Sequence, residues 1–241
     1  DGTEVKPDIK AVTLQAEAAE RAGFETFMLK EIHEQPRVLR NLLDKHLVAE
    51  GRIDQAQIGL GADYFRKLNR IMVVACGTAY HAGMYGRLLL EHFTGLAVET
   101  DLASEFRYRD PKIDPGTLII PVSQSGETAD TLASIRMARG WGCKVLAVCN
   151  VAGSSVTRDS DAVFFTEAGP EIGVASTKAY TAQQMAFALT ALFIARARGT
   201  LSEAQVAELL RDLQAVPDAI HYVLARKEQI KAIADKHHGG P

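Results

Sequence analysis

Cysteine is scarce in this chain, with three in 241 residues. Cys76, Cys143 and Cys149 each lie in or beside an apolar run. Their odd number and lack of metal-ligand spacing argue against a disulfide framework. They read instead as reduced core thiols in a cytosolic protein. Charge of one sign is also lacking. A net charge of −3 gives no reason to expect a nucleic-acid backbone or an anionic membrane as partner. No apolar run reaches the roughly 18–20 residues needed to cross a bilayer. The start lacks the basic, apolar and small-residue order of a signal peptide. It opens at Asp1 rather than Met, which reads as a processed or cut product. Internal repeats and low-complexity stretches are missing as well.

What is there describes an ordinary soluble globular protein: 47% apolar and 24% charged residues. The length suits one sizeable domain, or one domain plus appendages. Residues 1–23 are polar and weakly periodic, with Asp1-Gly2 suited to a turn, and read as a linker or the tail of an earlier domain. Phe27, Leu29, Ile32, Leu39, Leu42, Leu43 and Leu47 form a helical series, with a break expected at Pro36. A short helix is expected at 63–68. Five apolar runs of strand length follow, at 71–76, 96–100, 117–122, 143–149 and 162–166.

Between the strands the spacing predicts helices up to Gly95, over 103–109, and from Gly126 to a stop at Gly140. Two longer helices, 174–198 and 202–224, and a charged helical tail complete the chain. Strands buried on both faces read as continuous apolar runs. The expected fold is therefore α/β, a three-layer α/β/α sandwich around a mainly parallel five-stranded sheet.

In such a sheet ligands bind beyond the carboxyl ends of the strands. Two ends stand out: Cys76-Gly-Thr-Ala-Tyr80, and Ser123-Gln-Ser-Gly-Glu-Thr128 at the start of a helix. A helix N-terminus offers unpaired N–H donors and about half a positive charge, which suits a phosphate monoester. Ser125 and Thr128 could instead be simple helix caps, and Glu127 could merely complement the helix dipole. Five polar or small residues in a row favour binding, because a cap needs one. Gly77 alone is ordinary turn chemistry, and no Gly-x-Gly-x-x-Gly follows Cys76, so a dinucleotide fingerprint is not present.

A third stretch, Glu171 to Tyr180, could bring Gly173, Ala175 and Ser176 near a ligand, with Lys178 read as a solvated surface lysine. His237-His238 has no further Cys or His nearby, so no metal is assigned, and no cofactor is expected.

Five stretches together resemble the glutamine–fructose-6-phosphate aminotransferase family, the glucosamine-6-phosphate synthases. They are Phe27-Met-Leu-Lys-Glu-Ile-His-Glu-Gln-Pro36, residues 76–80, Ala103-Ser-Glu-Phe-Arg-Tyr-Arg109, residues 123–131, and Glu171-Ile-Gly-Val-Ala-Ser-Thr-Lys-Ala-Tyr180. The serine loop marks the wider sugar-isomerase (SIS) superfamily. The Lys30–Pro36 and Glu171–Lys178 stretches narrow it to the synthase.

The resemblance implies that residues 1–23 end a glutaminase domain and its linker. It implies that 24–225 form a first SIS domain, and that 226–241 begin the connection to a second one absent from this chain. It implies a cytoplasmic homodimer acting on fructose 6-phosphate and glucosamine 6-phosphate. Ser123, Gln124, Ser125 and Thr128 would grip the phosphate, Thr78 would touch the sugar phosphate, and Val174 would line the sugar site through its backbone. From the 171–180 stretch itself Ser176 or Thr177 could lend a hydroxyl, and Ala79 stands where the family often has serine.

The acid/base glutamate, ring-opening histidine and Schiff-base lysine of the family lie in its second SIS domain and tail, outside this chain. A non-catalytic SIS module that senses a sugar phosphate is the alternative. Such modules are usually joined to a DNA-binding helix, and no basic recognition helix is present here.

Overall fold

Apolar strand-length runs separated by helical periods can bury themselves only as a covered parallel sheet, and the computed structural model shows that sheet. It describes residues 20–48, 52–109 and 111–239; the Asp1-Gly2 turn lies outside them. In chain order the elements begin with α1 (Phe27–His46), β1 (Leu47–Val48), β2 (Arg52–Ile53), α2 (Gln55–Ile58) and α3 (Ala62–Arg66). The sheet region contains β3 (Arg70–Ala75), α4 (Gly77–Thr94), β4 (Ala97–Leu102), α5 (Ala103–Arg109), β5 (Thr117–Ser123), α6 (Ala129–Gly140), β6 (Lys144–Cys149), α7 (Ser155–Asp159) and β7 (Ala162–Phe165). Three helices close the chain: α8 (Lys178–Arg198), α9 (Glu203–Leu224) and α10 (Lys227–His237).

The five strands β3–β7 pair in parallel in the order β4-β3-β5-β6-β7. Side chains alternate across the sheet. Ile71, Val73 and Ala75 join Leu118, Ile120 and Val122 on one face, where α1, α3, α4 and α8 cover them. Met72, Val74, Ile119, Val145 and Ala147 face the other way, under Phe106 of α5, Ile135 of α6 and Val156 of α7. This is the expected three-layer sandwich. Helix α8 is buried through its centre, as an apolar circumference requires. Helix α9 packs outside it, opened by a capping box between Ser202 and Gln205.

Several local expectations change. Helix α1 runs unbroken through Pro36. The carbonyl of Ile32, which a proline ring leaves without its usual donor, accepts from Gln35 Nε2 at 2.9 Å. Helix α6 starts at Ala129 rather than Gly126 and includes Gly140, and the left-handed turn falls at Gly142 (φ 77°). Helix α8 starts at Lys178, four residues later than its apolar pattern implies. The short β1–β2 ribbon, α2 and α7 carry too few residues to show a period. Of the cysteines, Cys143 and Cys149 are buried, Cys76 is partly exposed, and all three are unbridged.

Two close contacts fix the helical layer. Arg198 donates to the carbonyls of Phe65, Leu68 and Thr94, satisfying groups left open at the ends of α3 and α4. Gly86 lies directly under the Phe187 ring, where a Cβ would come within 2.3 Å of Cγ. Alanine is the better helix former by about 1 kcal/mol, but overpacking costs about 1–3 kcal/mol. Gly86→Ala is expected to lower stability in chemical denaturation. Gly140→Ala, which meets open space, is expected to raise it by about 0.5 kcal/mol.

His46 gives a pH dependence. Its ring is buried, stacks on Phe164 at 3.9 Å, and bonds the Phe165 carbonyl through Nε2 at 2.8 Å. Nδ1 has no partner. Burial pushes its pKa down, only partly opposed by the Phe165 carbonyl. The unfolded chain therefore takes up this proton first. Stability should be flat above the unfolded value of about 6.5 and fall as pH drops through it towards the lower folded value. The difference in stability between pH 7.5 and pH 5.5, measured in urea, should shrink in His46→Gln.

Candidate functional site

The strand order places a reversal between β3 and β5. From β3 the chain passes through α4 on one face to β4. It then crosses to β5 on the far side of β3 and leaves through α6 on the opposite face. The two connections diverge, and a crevice opens at the carboxyl ends where they part. A cavity of about 260 Å³ occupies it.

The β5 side of this cleft is the 123–128 loop. Ser123 ends the strand, and its Oγ accepts from Gly126 N at 2.9 Å and lies 3.4 Å from Thr128 Oγ1. Gly126 has φ 70° and sits so close to the next layer that a Cβ would meet Ser154 Oγ at 2.0 Å. No other residue fits there. Neither hydroxyl caps α6: Ser125 Oγ accepts from Glu127 N within the loop, and Thr128 occupies the N-cap position before Ala129 but makes no side-chain cap bond. Glu127 complements a different helix from the one expected. Its carboxylate accepts from Ser155 N, in the first turn of α7, at 2.8 Å. Hydrogen bonds from the Ser155 side chain and backbone hold its pKa below the usual value. Gln124 completes this wall.

On the β3 side, Cys76 caps α4 by backbone only, and Thr78 and Ala79 follow in the first turn. Two helix N-termini without side-chain caps therefore open on one cavity, each with unpaired N–H donors and partial positive charge.

The third wall is the non-helical segment before α8, which contributes Glu171, Gly173, Val174 and Ser176. Its shape is set by carboxylates. Glu171 accepts from Ser176 Oγ (2.8 Å), Thr177 N (2.9 Å) and Ala179 N (3.1 Å), and so caps α8. Glu31 of α1 accepts from Ile172 N and from Gly173 N. Lys178 is not the solvated lysine expected from its position. It is 3% exposed, and its ammonium lies 2.6 Å from Glu34 of α1. A cation in the first turn opposes the helix dipole, and Glu34 compensates it.

The structure thus brings all eight candidates, Thr78, Ala79, Ser123, Gln124, Ser125, Thr128, Val174 and Ser176, to one cleft. It adds Gln183, which the sequence reading missed. A buried glutamine on the apolar helix α8 was its available signal. Among the described residues no lysine, arginine or histidine lines the cavity. An anion there would be held by backbone N–H groups, hydroxyls and helix dipoles. Among the described residues no group of three or more His, Cys, Asp or Glu is placed to hold a metal ion. No helix among them is long and apolar enough to cross a membrane.

Comparison with known proteins agrees with this geometry. The glutamine–fructose-6-phosphate aminotransferase [isomerizing] of Clostridium tetani is 46% identical over 99% of this chain, and that of Symbiobacterium thermophilum 48% over 97%. The chain spans 39% of the length of each. A solved C-terminal domain of glucosamine-fructose-6-phosphate aminotransferase from Francisella tularensis superposes with a TM-score of 0.84 at 38% identity, covering 89% of this chain and 60% of that one. The SIS domain family matches residues 64–195, more than half of the sequence, from within α3 to within α8 and including every residue that lines the cleft. By that match and by the strands and loops just described, the chain belongs to the SIS domain family.

Proposed function

We propose that the cleft binds a phosphorylated hexose, fructose 6-phosphate or glucosamine 6-phosphate, through the 123–128 loop at its phosphate end and the 171–177 segment at its sugar end. The observation that carries this reading is the convergence of two uncapped helix N-termini, α4 and α6, on a cavity rich in hydroxyls. Such a cavity selects an anion with several acceptor oxygens and a polyhydroxylated body. The high identity to the named aminotransferases supports the choice of sugar.

In this reading the chain is the first SIS domain of a glucosamine-6-phosphate synthase. The intact enzyme would convert fructose 6-phosphate and glutamine-derived ammonia into glucosamine 6-phosphate. Residues 1–23 would end the glutaminase domain, 24–225 would form the SIS domain, and 226–241 would lead to a second one. The whole protein would work as a cytoplasmic homodimer.

The cleft's contribution is holding rather than transforming. Among the described residues its one lining carboxylate, Glu171, already accepts three hydrogen bonds, and none of them that lines the cleft is a histidine or lysine able to move a proton or attack a carbonyl.

Calorimetric titration of the 241-residue chain with fructose 6-phosphate and with inorganic phosphate should show binding of both. Ser125→Ala should weaken each by about 0.5–1.5 kcal/mol, one hydroxyl's share. Gly126→Ala should abolish both, because its Cβ displaces the loop. Affinity unmoved by either substitution would remove the phosphate-loop assignment. Incubated with fructose 6-phosphate and ammonia, the chain should release no glucosamine 6-phosphate, and its appearance would show that chemistry occurs in this cleft.

A further inference from the structure

Lys30, Glu31 and Glu34 lie on the buried side of α1, far in sequence from the cleft, and line no part of it. They nevertheless set one of its walls. Glu31 and Glu34 are three residues apart and share a helix face. Glu31, 2% exposed, places Oε1 2.5 Å from Ile172 N and Oε2 3.1 Å from Gly173 N. Glu34 takes Lys178 at 2.6 Å, with Lys30 at 3.8 Å on its other oxygen. The 171–178 segment is therefore bolted to α1 at both ends.

Between the bolts stands Val174, whose side chain is fully exposed although the residue lines the cavity. What the segment offers a ligand there is main chain. Gly173 is fitted to the same contact, since a Cβ on it would come within 2.6 Å of Glu31 Oε2 and displace the carboxylate. A buried carboxylate spent on two backbone N–H groups of a loop is an expensive fastening, and it acts on the placement of the loop.

We propose that Glu31 is a positioning residue for the sugar end of the cleft: through Ile172 and Gly173 it fixes the backbone of Val174 against the hexose, without touching the ligand. The proposal rests on the reading of the cleft as a sugar-phosphate site. It separates the two ends of the ligand. The phosphate end depends on β5, α6, α7 and the first turn of α4, and the hydrogen bonds of the 123–128 loop run among β5, α6 and α7 rather than to α1.

The test is a pair of titrations on the full 241-residue chain, with fructose 6-phosphate and with inorganic phosphate, for wild type, Glu31→Gln and Gly173→Ala. Glutamine keeps the shape but loses the charge that two backbone donors face. Alanine at 173 keeps the carboxylate and pushes it away. Both variants should raise the Kd for fructose 6-phosphate about tenfold and leave that for inorganic phosphate within about twofold. Glu31→Asp should fall between them and wild type. Unchanged hexose phosphate binding in both variants overturns the positioning role. So does an equal loss of both ligands, which would mean that Glu31 supports the fold as a whole. A wild-type chain that binds neither ligand would instead remove the underlying reading of the cleft.

Discussion

The reversal of strand order between β3 and β5 is the constraint on which this structure turns. Once β4 pairs on one side of β3 and β5 on the other, right-handed crossovers must send α4 and α6 to opposite faces of the sheet. Their first turns then cannot cover each other, and both leave N–H groups pointing into the gap. The backbone donors on this side of the cleft follow from that. The short steps from Ala75 to Gly77 and from Ser123 to Ala129 leave little chain to fill the space, and neither helix start carries a side-chain cap. Ser123 spends its hydroxyl inside the loop, on Gly126 N, which keeps the turn tight while the next hydroxyls remain on the cavity wall.

The opposite wall obeys different physics. A non-helical segment of polar and small residues cannot hold its own shape, and its N–H groups would be costly to bury unpaired. Here carboxylates do the holding. Glu171 folds back on its own chain to cap α8, while Glu31 and Glu34 reach across from α1. Two of the sequence stretches that carry the family resemblance, 30–36 and 171–178, are thus in contact across more than 130 residues of chain. Their joint presence has a mechanical reason: each supplies what the other needs to be buried. The positive charge of Lys178 at the start of α8 is tolerable only because Glu34 stands beside it.

Much of the fold was legible because its signals are local and redundant. Five apolar runs of strand length, spaced by helical periods, leave few topologies. Capping residues such as Ser202 and turn glycines such as Gly95 (φ 67°) set boundaries to within a residue or two. The misreadings fall on single side chains. Pro36 was expected to break α1, but a neighbouring glutamine supplies the missing donor. Lys178 was expected in solvent, but its burial depends on a glutamate 144 residues away. Gln183 went unnoticed because only α8's placement turns it towards the cavity. For Lys178 and Gln183 what decides is absent from the local window, whereas for Pro36 it is the adjacent Gln35, whose side-chain bond to Ile32 leaves no trace in an apolar pattern.

The sequence by itself determined the sheet, the layers and the serine loop, because alternation, strand length and a polar run after an apolar one are properties of neighbouring residues. It also carried the family resemblance. Only the tertiary structure decided which residues share the cleft, that the hydroxyls of Ser125 and Thr128 do not cap α6, and that α1 fastens the wall opposite them. Those outcomes depend on distances between residues remote in the chain. A hydrogen bond such as Glu31 to Gly173 exists only after the sheet and α8 have brought its two ends together.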